Sequence, residues 1–281
     1  IKAMKLIFIL ILTYTFVSSN NISANENIEN CSIKNVPSKE RIFSKNFSGV
    51  FNGKRINYVA SLKEKIIYEK DNPSEPMASF FYTEYVVESD KNRPIIFSFN
   101  GGPGSASLWL HMGVLGPKVI KVPSDASDDG AAPFKIVDNK LSPLSDADLV
   151  FIDPIGTGYS RAIGCHEPEE FWGVSEDPKI IAEFIRRWIN DNKRWNSPRF
   201  ILGESYGGIR GPLLVSELRS GSITPIEVNG LLLVAPASDY QYLVFHPGNN
   251  SPHYGFLPSY AATAYYHGKI ETNKTLQEFY K

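Results

Sequence analysis

The chain has 281 residues, 42% of them hydrophobic and 21% charged, with a formal net charge of −1. That balance is globular and allows one large domain or two small ones. It carries no basic stripe that would support nucleic-acid binding. No Cys or His cluster has metal-ligand spacing, so neither metal nor cofactor is expected.

Met4-Lys5 opens an apolar run, Leu6 to Val17, followed by small and polar residues with Ser19 or Ala24 as cleavage points. This has the form of a secretory signal peptide over residues 1–24, and it is shorter than the roughly 20 apolar residues of a membrane span. An exported, secreted or periplasmic, protein with no stable membrane anchor is therefore expected. Residues 25–50 read as a flexible leader, Asn-rich and polar up to Glu40. Export permits a disulfide between the two cysteines, Cys31 and Cys165. Their separation leaves it equally open that both are free, or pair outside the chain.

RINYVAS and SFFYTEYVV, between Lys54 and Val87, are rich in β-branched and aromatic residues and predict an antiparallel lead-in to a sheet. Pro94–Phe99 is a buried strand running into Asn100-Gly101-Gly102-Pro103-Gly104. Pro123–Pro133 is a turn-rich surface loop, and Asp148–Ile152 is another apolar strand, ending in DPIGTGYS from Asp153 to Ser160. Asp177-Pro178 supplies an N-cap and a first helical residue, with Ile180, Ile181, Phe184, Ile185, Trp188 and Ile189 as the buried helix face. Arg199–Leu202 is a strand leading into Gly203-Glu204-Ser205-Tyr206-Gly207, and Ile209–Leu218 is the helix after it. Val228–Val234 reads as a further buried strand, and a helical stretch begins beyond Ser259. This alternation predicts a single α/β domain with a mainly parallel sheet and ligands at its carboxyl edge.

Two of the strand ends carry chemistry. A G-x-S-x-G turn between a strand and a helix is the setting of a nucleophile elbow, so Ser205 is the candidate nucleophile. A Gly-rich loop after an earlier strand suits close approach of a substrate oxygen to backbone N–H groups. Gly101 and Gly102 fill that loop, and Tyr206, the residue after the serine, offers the second N–H.

FNGGPGSAS, LGPK, DPIGTGYSR and GESYGG, in this order, resemble the serine carboxypeptidases related to carboxypeptidase Y. The tail PGNNSPHYGFLPSYAATAYYHGK looks more like the bacterial members, and the resemblance runs from about Phe51 to the C-terminus. It implies an α/β-hydrolase fold and removal of C-terminal residues from peptide substrates through an acyl-enzyme on Ser205. It implies that Gly102 and Tyr206 form the oxyanion hole. Asn100, Gly101 and Glu204 match the positions that bind the peptide's terminal carboxylate. A second family glutamate falls at Val114, which has no proton to offer. The DPIGTGYS block is expected to line the cleft or to form a structural turn.

Family members use an Asp and then a His well downstream of the serine, and the matched blocks end before either. A C-terminally incomplete fragment is therefore expected. Asp239 with His246, His253 or His267 has the right order, but no later strand is present to carry the histidine. A surface or lid role is expected there, and a structural role for His111 and His166. Trp109, Tyr159, Trp172 and Tyr206 are candidates for an apolar side-chain pocket or for the core. The rival readings are an esterase or acyltransferase on the same scaffold, and a truncated, catalytically inactive secreted binding protein. Oligomeric state and the preferred terminal residue are not encoded in any motif.

Overall fold

The computed structural model describes residues 36–279, apart from 89, 124, 126, 129, 221 and 222. The expected signal peptide, residues 1–24, and Cys31 lie outside the described residues. Cys165 is disulfide-bonded.

Asn52 and Gly53 both take left-handed backbone, with φ of 48° and 78°. Such a two-residue turn matches the twist of the strands it joins. It connects β1 (Ile42–Phe51) to β2 (Lys54–Tyr68), paired antiparallel from Phe51 with Lys54 to Ile42 with Lys63. Residues 42–50 thus belong to the sheet, which corrects the leader expected over 25–50. The polar β1 sequence hid the strand, whereas the Asn-Gly pair was the available signal.

β3 (Pro76–Val86) completes the antiparallel lead-in, as expected. β4 (Ile95–Phe99) comes next, then a hairpin of β5 (Lys118–Ile120) and β6 (Ile136–Asp138) flanking the surface loop. β7 (Asp148–Ile152), β8 (Arg161–Ala162), β9 (Arg199–Glu204) and β10 (Gly230–Val234) complete the strands of the described residues. The main sheet has the order β1-β2-β3-β7-β4-β9-β10, with β8 paired to β3. From β7 onward the neighbours are parallel.

Side chains alternate across this sheet. On β7, Leu149 and Phe151 enter one core cluster while Val150 and Ile152 enter the other. Burial on both faces explains why the parallel strands read as unbroken apolar runs. Helices α1 (Glu176–Asp191) and α2 (Gly207–Ser220) cover the larger cluster. The buried face of α1 includes Ile180, Ile181, Phe184, Ile185, Trp188 and Ile189, as their spacing predicts. Each large apolar side chain buried there is worth about 1.5–3 kcal/mol. Asp177 does not cap α1: Ser175 holds that position, and the Asp177 carboxylate accepts from Arg210 at 2.6 Å. A charged donor outcompetes a backbone N–H for it.

β10 departs from the expected buried strand. Leu231, Leu232, Leu233 and Val234 are 37–42% exposed, because β10 pairs only with β9 among the described residues. α3 (Ser251–Tyr266) starts earlier than the expected Ser259 and is mostly exposed. An antiparallel lead-in followed by parallel β/α units, with the candidate serine between β9 and α2, is the α/β-hydrolase fold. No helix of the described residues is long and apolar enough to cross a membrane.

Candidate active site

The parallel register pairs Phe99 with Gly203. The loops after β4 and β9 therefore leave the sheet side by side, and the sequence motifs meet there. Ser205 sits at the tip of its turn with φ of 57°, a conformation that costs a non-glycine residue energy. Two backbone bonds hold it: Ser205 N–H donates to Val234 O at 3.0 Å, and Ala237 N–H donates to Ser205 O at 2.7 Å. The segment after β10 thus helps impose the strain.

The two elbow glycines differ in necessity. A Cβ on Gly203 would stand 2.7 Å from Gly207 O and 2.9 Å from Gly207 Cα, so the turn closes only over a bare residue. A Cβ on Gly207 would meet nothing nearer than the Phe99 ring at 3.5 Å, an ordinary contact. The left-handed residue of the turn is Ser205 itself.

Gly101 packs directly on the elbow. A Cβ there would lie 2.4 Å from Tyr206 N, 2.6 Å from Glu204 O and 2.8 Å from Ser205 Cβ. Gly102 has φ of 108°. Neither Gly102 N–H nor Tyr206 N–H donates a hydrogen bond among the described residues.

Glu204 joins the two loops. Its Oε2 accepts from Asn100 Nδ2 at 2.9 Å and from Gly101 N–H at 3.3 Å. Asn100 Oδ1 accepts in turn from Leu110 N–H at 3.1 Å, which ties in the helical turns of residues 108–115. Val114, near the end of that segment, is half-exposed, its carbonyl accepting from Asn139 Nδ2 at 2.8 Å. His111, in the same segment, is structural as expected. It shares a 2.6 Å hydrogen bond with the Tyr85 hydroxyl and stacks on Phe151 at 4.6 Å. Burial pulls its imidazole down to about 4.

The sequence reading missed Arg210 as a site residue. It is 1% exposed on α2, and it donates to Asp177 Oδ2 at 2.6 Å, to Asn100 O at 2.7 Å and to Pro103 O at 3.3 Å. Its guanidinium lies between the Phe99 and Tyr206 rings, 5.3 and 5.1 Å from their centroids. Burial pushes the Asp177 carboxyl above its usual range, while Arg210 pulls it back down. The only sequence signal was an arginine on a helix otherwise apolar at its start.

A cavity of about 260 Å³ adjoins the glycine loop, lined by Pro103, Ile155, Thr157, Trp172, Asp177 and Arg210 among others. Residues 154–157 of the DPIGTGYS block border this cavity, whose wall does not include Ser205. Asp153 at the start of the block accepts from Ser107 N–H at 2.8 Å, and burial pushes its carboxyl up. Of the four candidate pocket aromatics only Trp172 lines this cavity; Trp109 is exposed, Tyr159 packs on Phe81 and Tyr206 is buried against Arg210. A larger cavity, about 450 Å³ between Tyr68, Met77, Glu183 and Arg186, does not include Ser205 in its wall.

Asp239 caps the turn Tyr240–Tyr242 through Gln241 N–H at 2.8 Å. His253 meets Phe245 edge to face, His267 meets Tyr266 likewise, and His246 contacts Pro247 O. Among the described residues no histidine is hydrogen-bonded to Ser205 or to Asp239. His166 pairs with Glu170 and Glu69 away from the elbow.

Serine carboxypeptidase-like 9 of Arabidopsis thaliana is 30% identical over 177 residues, covering 60% of this chain and 38% of that protein. Serine carboxypeptidase-like 2 of the same plant is also 30% identical over 177 residues, covering 59% and 38%. The chain thus spans well under half the length of these curated relatives. Among solved structures, the prohormone-processing carboxypeptidase Kex1 of Saccharomyces cerevisiae aligns with a TM-score of 0.48 at 18% identity, over 75% of this chain and 48% of that one. The family model described as serine carboxypeptidase matches residues 61–274, and the chain belongs to that family.

Proposed function

We propose that the protein is a serine-type carboxypeptidase that removes C-terminal residues from peptides through an acyl-enzyme on Ser205. The observation that carries this reading is the Glu204 carboxyl group, bonded to Asn100 Nδ2 and Gly101 N–H one residue before the serine. An acyl transferase of general type needs the serine and its N–H donors. A carboxyl-terminal peptidase needs, in addition, groups that hold a terminal carboxylate next to the scissile bond. Protonated Glu204 donates to that carboxylate, and Asn100 Nδ2 and Gly101 N–H turn from Glu204 to the substrate.

Ser205 Oγ attacks the scissile carbonyl carbon and gives up its proton to a general base. The carbonyl oxygen takes the negative charge, held by the N–H groups of Gly102 and Tyr206. Collapse breaks the C–N bond, and the departing amino acid takes the proton back. Water then repeats the attack on the ester and frees Ser205. No described histidine is bonded to Ser205 as that base, and the family's Asp–His pair is the proposed source. The apolar run after Met4-Lys5 and the disulfide at Cys165 support an exported enzyme.

One feature favours a second reading, an esterase or acyltransferase: the family resemblance implies a second glutamate at position 114, where this chain has Val114. A fluorophosphonate probe tests the first step. Labelling of Ser205 that is lost in Ser205→Ala supports the nucleophile. Labelling that persists in the variant refutes it, and no labelling of either protein favours an inactive binding protein. Among labelled enzymes, faster turnover of a blocked dipeptide than of its C-terminal amide separates the peptidase from the esterase.

A further inference from the structure

Gly101 and Gly102 have no side chains, so the direction of the Gly102 N–H rests on backbone bonds; within the loop its peptide has one, from Ser105 N–H to Gly101 O at 3.1 Å. Pro103 locks its own φ but adds no donor to hold the Gly101–Gly102 peptide. Backbone freedom of this kind makes a donor imprecise unless it is clamped from outside. A cavity of about 260 Å³ borders the Pro103–Gly104 end of the same loop, so that end is not packed from this side.

Arg210 occupies the clamping position. Two of its N–H groups hold carbonyls on either side of the Gly101–Gly102 peptide, Asn100 O at 2.7 Å and Pro103 O at 3.3 Å. Its third contact, Asp177 Oδ2 at 2.6 Å, anchors the guanidinium to α1. Its guanidinium carbon lies over the rings of Phe99, before the loop, and Tyr206, after the serine, at 5.3 and 5.1 Å from their centroids. Its own backbone N–H donates to Tyr206 O at 3.0 Å, one helical turn back. With 1% of its surface exposed, it is held within the protein and meets solvent only at the wall of that cavity. A lysine there could not repeat the arrangement, because only a guanidinium forks several donors in one plane and stacks on aromatic faces.

We propose that Arg210, held by Asp177, is a positioning residue that sets the Gly101–Gly102 loop against Tyr206 and so aligns the two N–H donors for the developing oxyanion. This rests on the acyl-transfer reading of Ser205, and the tests keep the two apart. Misplacing such donors by about 1 Å costs on the order of 100-fold in rate, felt in the transition state rather than in ground-state binding.

The experiment uses the full-length protein, with the Asp–His pair proposed as its base, and the variants Arg210→Lys, Asp177→Asn and Ser205→Ala. With an ester substrate, Arg210→Lys is expected to lower kcat by about 100-fold and leave KM within about threefold. The inhibition constant of a tetrahedral boronate should weaken in parallel, while that of the product acid stays unchanged. Asp177→Asn should give a smaller loss of the same kind. Amide hydrogen exchange over residues 100–107 should quicken in both variants, with a cooperative melt retained. If Arg210→Lys is folded and keeps kcat and boronate affinity within threefold of the parent, the proposal is overturned. If Ser205→Ala still turns over, or the parent shows no turnover, the acyl-transfer reading falls instead. The exchange of residues 100–107 then decides the clamp alone, and unchanged rates in Arg210→Lys overturn it.

Discussion

A Cβ on Gly101 would stand 2.4 Å from the amide nitrogen of Tyr206, closer than any real side chain approaches backbone. The loop after β4 and the turn after β9 are thus packed main chain on main chain, with no flexible side chain between them to yield. Gly101→Ala is expected to destabilise the fold by about 2–3 kcal/mol, as an overpacked site does. It should also lower kcat/KM by at least about 100-fold. Gly207→Ala is the matched control: its Cβ finds space, and stability should stay within about 0.5 kcal/mol. Urea melts and ester turnover on the two variants check both. Equal behaviour of the pair would contradict this main-chain packing.

Val114 makes a second prediction. It lies in the turn tied to Asn100 through Leu110, so a longer acidic side chain at this position starts from a segment anchored to a residue proposed to bind the terminal carboxylate. Compared with the parent, Val114→Glu should raise the preference for a blocked dipeptide over its amide by about tenfold, a value of one charge-assisted hydrogen bond. The preference should grow towards acid, where a carboxyl group can donate. A ratio unchanged between about pH 5 and 8 would place substrate recognition elsewhere.

His111 sets a pH dependence of stability. Burial lowers its imidazole from 6.5 to about 4. The unfolded chain therefore binds a proton at a pH where the folded chain still refuses it. This contribution is complete above 6.5 and is lost as pH falls from there to about 4, a change of about 3 kcal/mol. His111→Gln keeps a partner for the Tyr85 hydroxyl and removes the titration. Unfolding free energies at about pH 7.5 and 4.5 should show a smaller acid loss in the variant by that amount. Parallel losses in both proteins would remove His111 from the account.

The β10 strand carries a fourth expectation. Leu231 to Val234 present a flat apolar edge, 37–42% exposed. Exposed edges of this kind template pairing with other chains. The 281-residue chain should self-associate at micromolar concentration, and Leu232→Lys should shift it towards monomer in light scattering, with a melt changed by less than about 1 kcal/mol. Undiminished association in the variant would locate the contact on another surface.

The sequence by itself determined the elements and the chemistry-bearing turns. β4, β7, β9 and the buried face of α1 arise from local apolar periodicity, and GESYGG and NGGPG declare themselves through the spacing of their glycines. Even β1 was legible, in Asn52-Gly53, although its polar strand residues masked it. Only the tertiary structure decided what those elements do to one another. The pairing of Phe99 with Gly203 brings two motifs about a hundred residues apart into one site. Gly203 and Gly207 look equivalent in the motif, yet only one of them is sterically obliged to be bare. Asp177 reads as a helix cap until Arg210, from another helix, claims its carboxylate. The apolar run of β10 reads as buried until its place at the sheet edge leaves it exposed. In each case the deciding partner lies far along the chain. Local pattern records a residue's preference for burial or for a turn, whereas long-range packing selects the atoms it meets.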